Sequence, residues 1–590
     1  MDLTNNQKKF ILKNISKLPV SAIAKAINKP EKQILEFAQK KELDYSIRKN
    51  ILKENSQPNN RHWIVLFFLT VMVLACYIWT LGHNFVSDDL YIMKNKETGN
   101  LSILWTQPQI FLATLHYYIL YNLSGTNPWL YRLVNIFFHL GNVYLVYFIV
   151  VLTTGSLIGL IAASLFSIHP ILIESVTWIT GGSYARYAFF ILLSLLFYIL
   201  SSKNKKYYWW SVILSILALL SSEKAIFLFL IFIIYELSQS SLIKKWKKIL
   251  PYFTITVFWL LYYFSQLEKR ISGISELSYS KQQVINPFIQ IPIAISSYLK
   301  LIFWPDKLTL YHSELNFTTV EYVVRLLGLL GLLGLLGLAW RKNRQIFFWL
   351  SFFIISLLPT LTPFGISWVV AERYVYLGSI GVVFVIGYFF NWLIKKNKVI
   401  GYLLFVICIL GLMTRTIIRN MDWKNEDTLW LSMKDISSAD PKTHNNLGDM
   451  YGRHGDFKKA EEEFKKAIAI NPNYGDAYHN LGNTYLQTER LELAIQSYEK
   501  AASINPNLWQ SYQNISAIYF KQKKFDKALE YMEKAVKVNP QNDNLYLNTS
   551  IIYVELRDLT NAKRFIDKTL QINPDNEKAK QLLPIIIRGL

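Results

Sequence analysis

Asn480-Leu481-Gly482-Asn483-Thr484-Tyr485 returns in register as Asn446-Leu447-Gly448-Asp449-Met450-Tyr451, Asn514-Ile515-Ser516-Ala517-Ile518-Tyr519 and Asn548-Thr549-Ser550-Ile551-Ile552-Tyr553. The period is 34 residues, and full copies run Pro441 to Tyr474, Gly475 to Leu508, Trp509 to Asn542 and Asp543 to Asn576. Ala460, Ala494, Ala528 and Ala562 keep the same spacing, as do Pro472, Pro506, Pro540 and Pro574. Each copy reads as two antiparallel helices. The small residue at Gly448, Gly482, Ser516 or Ser550 lets them approach, aromatics fill the space between pairs, and proline ends the second helix because it cannot continue one. Stacked pairs of this kind form an α-solenoid over 441–576. The tail 577–590, with Leu582, Leu583, Ile585, Ile586 and Ile587, reads as a cap helix. Solenoids bind other chains and rarely do chemistry, so an activity is expected upstream.

The 34-residue pattern closely resembles the tetratricopeptide repeat. Its polar copies sit in a chain of 590 residues that is 52% hydrophobic, so the apolar excess is concentrated elsewhere. It lies between Trp63 and Ile418, in runs such as Trp63 to Leu81, Val320 to Trp340 and Val399 to Ile418 that approach the ~20 residues a membrane-spanning helix needs. The chain reads as an all-α integral membrane protein: a polytopic helical domain over 61–420 followed by the solenoid. The net charge of +22 does not imply nucleic acid, because much of the Lys and Arg falls in short loops between apolar runs. Cys76 and Cys408 are the only cysteines, which excludes a disulfide framework and a thiolate metal site. No cleavable signal peptide is visible, since some sixty polar residues precede the first apolar run. Residues 1–60 are basic, and apolar spacing through Phe10, Ile11, Ile15, Ile23, Ile27, Ile34 and Phe37 predicts a small helical module.

Loop charge sets an expected topology. Lys203 to Lys206, Lys244 to Lys248, Arg341 to Arg344, Lys395 to Lys398 and the N-terminus all belong on the cytoplasmic side. About eleven spans satisfy this, near 63–82, 130–153, 156–169, 184–201, 207–222, 225–238, 249–266, 320–340, 345–361, 374–394 and 399–418. The segment 285–304, broken by Pro287 and Pro292, is then interfacial or re-entrant within an external loop from 267 to 319. The repeats fall outside the cytoplasm, across the plasma membrane or an inner membrane if the host is bacterial.

On this topology Asp88 and Asp89 open the first external loop. Adjacent carboxylates at a membrane surface are costly to desolvate and suited to taking a proton or holding a cation. His169, Glu174, Arg186, Lys224, Glu372 and Arg373 all stand beside apolar runs on the same side. Both signs gathered at one surface suit a pocket for an anionic, lipid-linked substrate; snorkelling, helix capping and a polar network stapling two spans are the alternatives.

The order of motifs carries a second resemblance. The acidic pair is followed by Tyr131-Arg132-Leu133-Val134-Asn135-Ile136-Phe137-Phe138-His139, His169-Pro170 with Glu174, and Ser222-Glu223-Lys224-Ala225. Tyr298-Leu299-Lys300-Leu301-Ile302-Phe303-Trp304-Pro305 and Ala371-Glu372-Arg373-Tyr374-Val375-Tyr376-Leu377 precede the repeats. Over most of 63–576 the chain resembles the transmembrane and tetratricopeptide repeat-containing O-mannosyltransferases. That resemblance implies a GT-C-type glycosyltransferase taking a hexose such as mannose from a polyprenyl-phosphate donor on the non-cytoplasmic face. It implies a catalytic base at Asp88 or Asp89, with Asp88 preferred. Donor phosphate and sugar would then meet Arg186, Arg373, His169, Glu174, Glu372 and Lys224. The chain departs from the family pattern at Glu223-Lys224 and at Ser183-Tyr184-Ala185-Arg186-Tyr187. No cofactor is implied; a divalent metal at the acidic pair would lack a second ligand cluster.

Asn446, Asn480, Asn514 and Asn548 share one column of the repeats. Their Asn-Leu-Gly context is similar to that of the O-linked N-acetylglucosamine transferase, which implies a concave face that grips an acceptor backbone. An amide offers a donor and an acceptor to any peptide group, whatever its side chain. The expected partners are membrane lipid, a lipid-linked sugar and a polypeptide acceptor. The competing functions are transfer to a lipid or glycan acceptor, and a non-enzymatic scaffold.

Overall fold

The computed structural model describes residues 3–14, 20–40, 60–90, 96–106, 110–265, 286–312, 317–361 and 369–589. Parts of the expected 267–319 loop and of the 1–60 module therefore lie outside the described residues. Near the N-terminus, α1 (Asn5–Asn14), α2 (Val20–Ile27) and α3 (Glu31–Lys40) pack around Leu3, Ile11, Ile23 and Ile34.

The apolar domain is a bundle of α4 (Asn60–Tyr77), α5 (Phe111–Ser124), α6 (Pro128–Thr153), α7 (Ser156–Ile168), α8 (Ser183–Leu200), α9 (Lys206–Ser221), α10 (Leu228–Ser238), α11 (Leu242–Ser265), α12 (Pro287–Phe303), α13 (Thr319–Lys342), α14 (Arg344–Leu357), α15 (Tyr376–Lys396) and α16 (Lys398–Asp422). Local signals fix several of these. Asn127 caps α6 with Pro128 in its first turn, and Thr318 with Glu321 forms a capping box on α13. Each expected span falls on a helix. Among the described residues six are long and apolar enough to cross a membrane, or seven if α7 and Pro170–Val176, bent by 56°, form one broken span. The remaining expected crossings rest on shorter helices, and on α11, whose first turns carry four lysines.

Burial identifies the solvent. Only 11% of the apolar stretch of α13, and 11% of that of α16, is covered by protein. Val320, Leu327, Leu330, Val399, Leu403 and Leu410 stand exposed along them, which is stable only against lipid. The chain is an integral membrane protein.

Helices α6 to α11 and α13 to α16 alternate between two ends, whereas α12 starts and finishes at one: Gln290 Nε2 donates to the Thr360 carbonyl (3.5 Å), and the Ile302 carbonyl accepts from His169 Nε2 (2.9 Å). The turns after α8, α10, α13 and α15 carry the four basic clusters. At that end Tyr208 Oη donates to the Lys248 carbonyl (3.0 Å), and Lys245 pairs with Glu236 (3.0 Å). The acidic loop 83–90, the segments 169–182 and 369–375, and the entry to the repeats meet at the other end, where the Asn84 N–H donates to the Lys424 carbonyl (2.9 Å). Asp88 and the repeats therefore share one end of the bundle.

Helix α17 (Glu426–Met433) joins α16 to the repeats, which form α18 (Pro441–Arg453), α19 (Phe457–Ile470), α20 (Gly475–Gln487), α21 (Leu491–Ile504), α22 (Trp509–Lys521), α23 (Phe525–Val538), α24 (Asp543–Glu555) and α25 (Leu559–Ile572), closed by α26 (Glu577–Gly589). The small-residue column behaves as its spacing requires. A Cβ on Gly448 or Gly482 would come within 2.6 Å of the Phe464 ring or 2.7 Å of the Tyr498 ring. Ser516 and Ser550 instead donate to the Ala528 and Ala562 carbonyls (2.6 and 2.7 Å). The array is no pendant arm: Trp423, Trp430, Met433, Leu447 and Met450 belong to the same apolar core as the membrane helices.

Candidate functional site

Ser87 adopts a left-handed backbone (φ 53°), a conformation that costs about 1 kcal/mol for a side-chain-bearing residue. The twist turns neighbouring carboxylates opposite ways. Asp88 is exposed, whereas Asp89 is fully buried. Asp89 Oδ1 accepts from the Thr180 N–H (2.9 Å) and from Thr180 Oγ1 (3.0 Å), and Oδ2 accepts from the Val86 N–H (3.4 Å). Asp89 is thus committed to holding the loop, and Asp88 is the carboxylate open to a ligand.

Burial pushes Asp89 up to about 6, against the downward pull of the Thr180 bonds and the Arg132 charge. The folded chain therefore keeps a proton that the unfolded chain releases from about pH 4. Stability should fall as pH rises from about 4 to about 6, by about 3 kcal/mol. Melting curves across that window measure the slope, and Asp89→Asn should remove it.

Arg132 is the residue that sequence motifs did not single out for a role. It is fully buried. Its guanidinium donates to the His83 and Asn84 carbonyls, and Nε donates to the Thr177 carbonyl (3.1 Å). One rigid fork thereby fixes the acidic loop against the 169–182 segment. That segment is itself tight: a Cβ on Gly181 would lie 1.8 Å from the Glu174 carbonyl oxygen. The available signal was a lone arginine inside an apolar helix, which needs a partner.

The expected donor-binding residues divide. Arg186 is 2% exposed. The Tyr117 ring lies 5.5 Å from its Cζ, and the Tyr117 phenol hydrogen-bonds the guanidinium and is within electrostatic reach of Asp89. Among the described residues no carboxylate pairs with Arg186, and a buried guanidinium is best balanced by an anion. Arg373 already has one. Its Nη1 lies 3.1 Å from Glu174 Oε2, which also accepts the Arg373 N–H at 3.0 Å. Its cation stands over Trp178 and Tyr374. Lys224 Nζ lies 4.9 Å over the neighbouring Tyr184 ring.

His169 and Glu372 face elsewhere. His169 Nδ1 accepts from the Ile171 N–H (3.2 Å) and Nε2 donates to the Ile302 carbonyl (2.9 Å). Both ring nitrogens hydrogen-bond to backbone, stapling the end of α7 to α12. Glu372 Oε1 accepts from the Thr309 N–H and lies 3.4 Å from His312 and 3.8 Å from Arg419. Through Oε1 it ties α16 to the 305–312 segment, while Oε2 meets no hydrogen-bond donor among the described residues. As for the metal considered at the acidic pair, no group of three His, Cys, Asp or Glu side chains is placed to hold an ion among the described residues.

The asparagine column is partly exposed throughout, on the first helix of each pair. Asn480 Nδ2 donates to Asn445 Oδ1 (3.0 Å), and Asn514 Nδ2 donates to Asn483 Oδ1 (3.1 Å). These bonds to the preceding repeat, with a further one from Asn514 to the Tyr498 phenol, orient the two amides. The column begins beside the acidic loop. The Tyr311 phenol hydrogen-bonds Asn446 and lies within electrostatic reach of Asp88, Asp440 and Arg373.

Comparison with known proteins finds tetratricopeptide repeat models matching residues 441–507, 477–541 and 519–583. The protein O-mannosyl-transferase Tmtc2 of Drosophila melanogaster is 33% identical over 133 residues, 22% of this chain and 14% of that protein. Tmtc1 of the same organism is 31% identical over 135 residues, 22% of this chain and 16% of its own length. Both likenesses lie in the repeats, so the match spans about a seventh of each relative and does not extend over the membrane helices. Among solved structures, that of MamA aligns with 24% identity and a TM-score of 0.24 over 26% of this chain and 91% of that chain.

Proposed function

We propose that the chain is a membrane glycosyltransferase that moves a hexose from a polyprenyl-phosphate donor to Ser or Thr of a polypeptide held by its repeats. One observation supports this above the rest: the exposed carboxylate of Asp88, the Arg186 guanidinium, which has only the Tyr117 phenol beside it and no carboxylate among the described residues, and the start of the asparagine column lie at one end of an apolar bundle. The relatives' names, protein O-mannosyl-transferase, point the same way.

In this reading Asp88 accepts the proton of the acceptor hydroxyl as that oxygen bonds to the anomeric carbon. The bond from the anomeric carbon to the phosphate oxygen breaks, and the leaving lipid phosphate keeps the electron pair. Arg186 stabilises that charge, since a guanidinium matches phosphate oxygens and acts strongly where water is excluded. Lys224 supplies a second cation, while the Arg373–Glu174 pair shapes the wall. The active face is the non-cytoplasmic one, because the basic clusters all lie at the opposite end.

The test uses the full chain in detergent with polyprenyl-phosphate carrying a radiolabelled hexose. Label should pass to a Ser/Thr peptide. Label passing only to a lipid or glycan acceptor overturns the peptide assignment, and no transfer to any acceptor from a panel of sugars favours a scaffold.

A further inference from the structure

The 305–312 segment belongs to neither the bundle nor the repeats, yet it is fixed to both. The Thr309 N–H donates to Glu372 at the base of α15, and Thr309 Oγ1 meets Ser437 Oγ at 2.6 Å, just before the first repeat. Ser437 Oγ also donates to the Tyr311 carbonyl (2.7 Å). The Tyr311 ring stacks on Trp430 of α17, with centroids 6.5 Å apart and planes 17° apart. Three anchors thus hold one phenol where the acidic loop and the asparagine column meet. Tyr474, which closes the first repeat, lies within electrostatic reach of the same phenol.

We propose that Tyr311 is an acceptor-positioning residue, the point at which an extended polypeptide gripped by the asparagine column is handed to the transfer site at Asp88. The proposal rests on the transferase reading and deepens its acceptor side. Amide side chains can grip a backbone only where its N–H and C=O groups are not already used within a helix or sheet. The acceptor is therefore an extended, unfolded stretch running beyond the modified residue towards Asn446 and Asn480. Burial, with the Asp88 and Asp440 carboxylates, holds the Tyr311 phenol well above its ordinary range, so it stays neutral, and through its hydrogen bond to Asn446 it sets the first amide of the column in line with the acidic loop.

The test measures transfer kinetics for the full chain with peptides of fixed acceptor residue and increasing flank length. In the parent, longer flanks should lower the acceptor KM. Tyr311→Phe keeps the ring on Trp430 and should raise the KM of long peptides about three- to tenfold, the effect of one hydrogen bond. The KM of short peptides should rise less, the donor KM should not move, and melting should fall only by the small cost of the lost Asn446 hydrogen bond. An equal effect on short and long peptides, or a fall in kcat at constant KM, overturns the positioning role. A folded domain bearing the same acceptor sequence and modified as well as the free peptide overturns the extended-acceptor claim. Loss of transfer in Asp88→Asn with unaltered length dependence in Tyr311→Phe rejects the hand-over alone; intact transfer in Asp88→Asn rejects the transferase reading itself.

Discussion

Asp88→Asn should lower the rate of sugar transfer by about 10²–10⁴-fold, the range seen when a positioned general base is lost, with no change in melting. The two halves of that result follow from the exposure of Asp88. An exposed carboxylate contributes little packing, so the isosteric amide leaves the loop in place, but an amide cannot take the hydroxyl proton. Asp89→Asn should show the opposite balance. It keeps an oxygen for Thr180 yet turns an N–H towards the Val86 N–H, which costs about 1–3 kcal/mol in a buried site. Transfer per folded molecule should then fall far less than in Asp88→Asn. A scaffold would lose no partner binding in either variant. Retention of half the activity or more by Asp88→Asn removes Asp88 as the base.

Arg132→Met should destabilise the protein by about 3 kcal/mol or more. Methionine preserves the buried stem, but the His83, Asn84 and Thr177 carbonyls all lose a charged donor at once, each loss costing roughly 1–3 kcal/mol. The loop that carries Asp88 is then held to the 169–182 segment by the Asp89–Thr180 hydrogen bonds and the packing of Phe85 with Ile179. Transfer should fall with stability, unlike in Asp88→Asn. Lysine cannot restore the clamp, because a single ammonium does not span three carbonyls on two segments. Thermal melting in detergent reads the effect, and a parent-like curve would show that the arginine fixes nothing.

The elements were legible wherever the signal was periodic. A 34-residue period marked both helices of every repeat, and apolar runs marked the six helices that are long and apolar enough to cross a membrane among the described residues. The site was only half legible. That Asp88 and Asp89 serve different ends depends on one left-handed residue, Ser87, which no pattern announces. Arg373 was expected at a phosphate, but its charge is met by Glu174, 199 residues away in sequence. Such a pairing is settled by packing, as is the turning of Glu372 towards Arg419. Tyr311 sits in a segment without a motif, and its importance comes from being anchored on both sides. Arg186, by contrast, was legible as a cation beside an apolar run, and its burial against the Tyr117 phenol is what the fold adds.

The core shared by Trp423, Trp430, Met433, Leu447 and Met450 has a consequence for cooperativity. In a free solenoid the terminal repeat frays first, because one of its faces meets water. Here the first repeat has its end face covered by the bundle, so it melts together with the membrane helices, while the third and fourth repeats open earlier. A gradient of local stability thus runs along the array. It is steepest in rigidity beside Asp88 and loosest at the distal end, where an incoming chain is free to be captured before it is drawn into register.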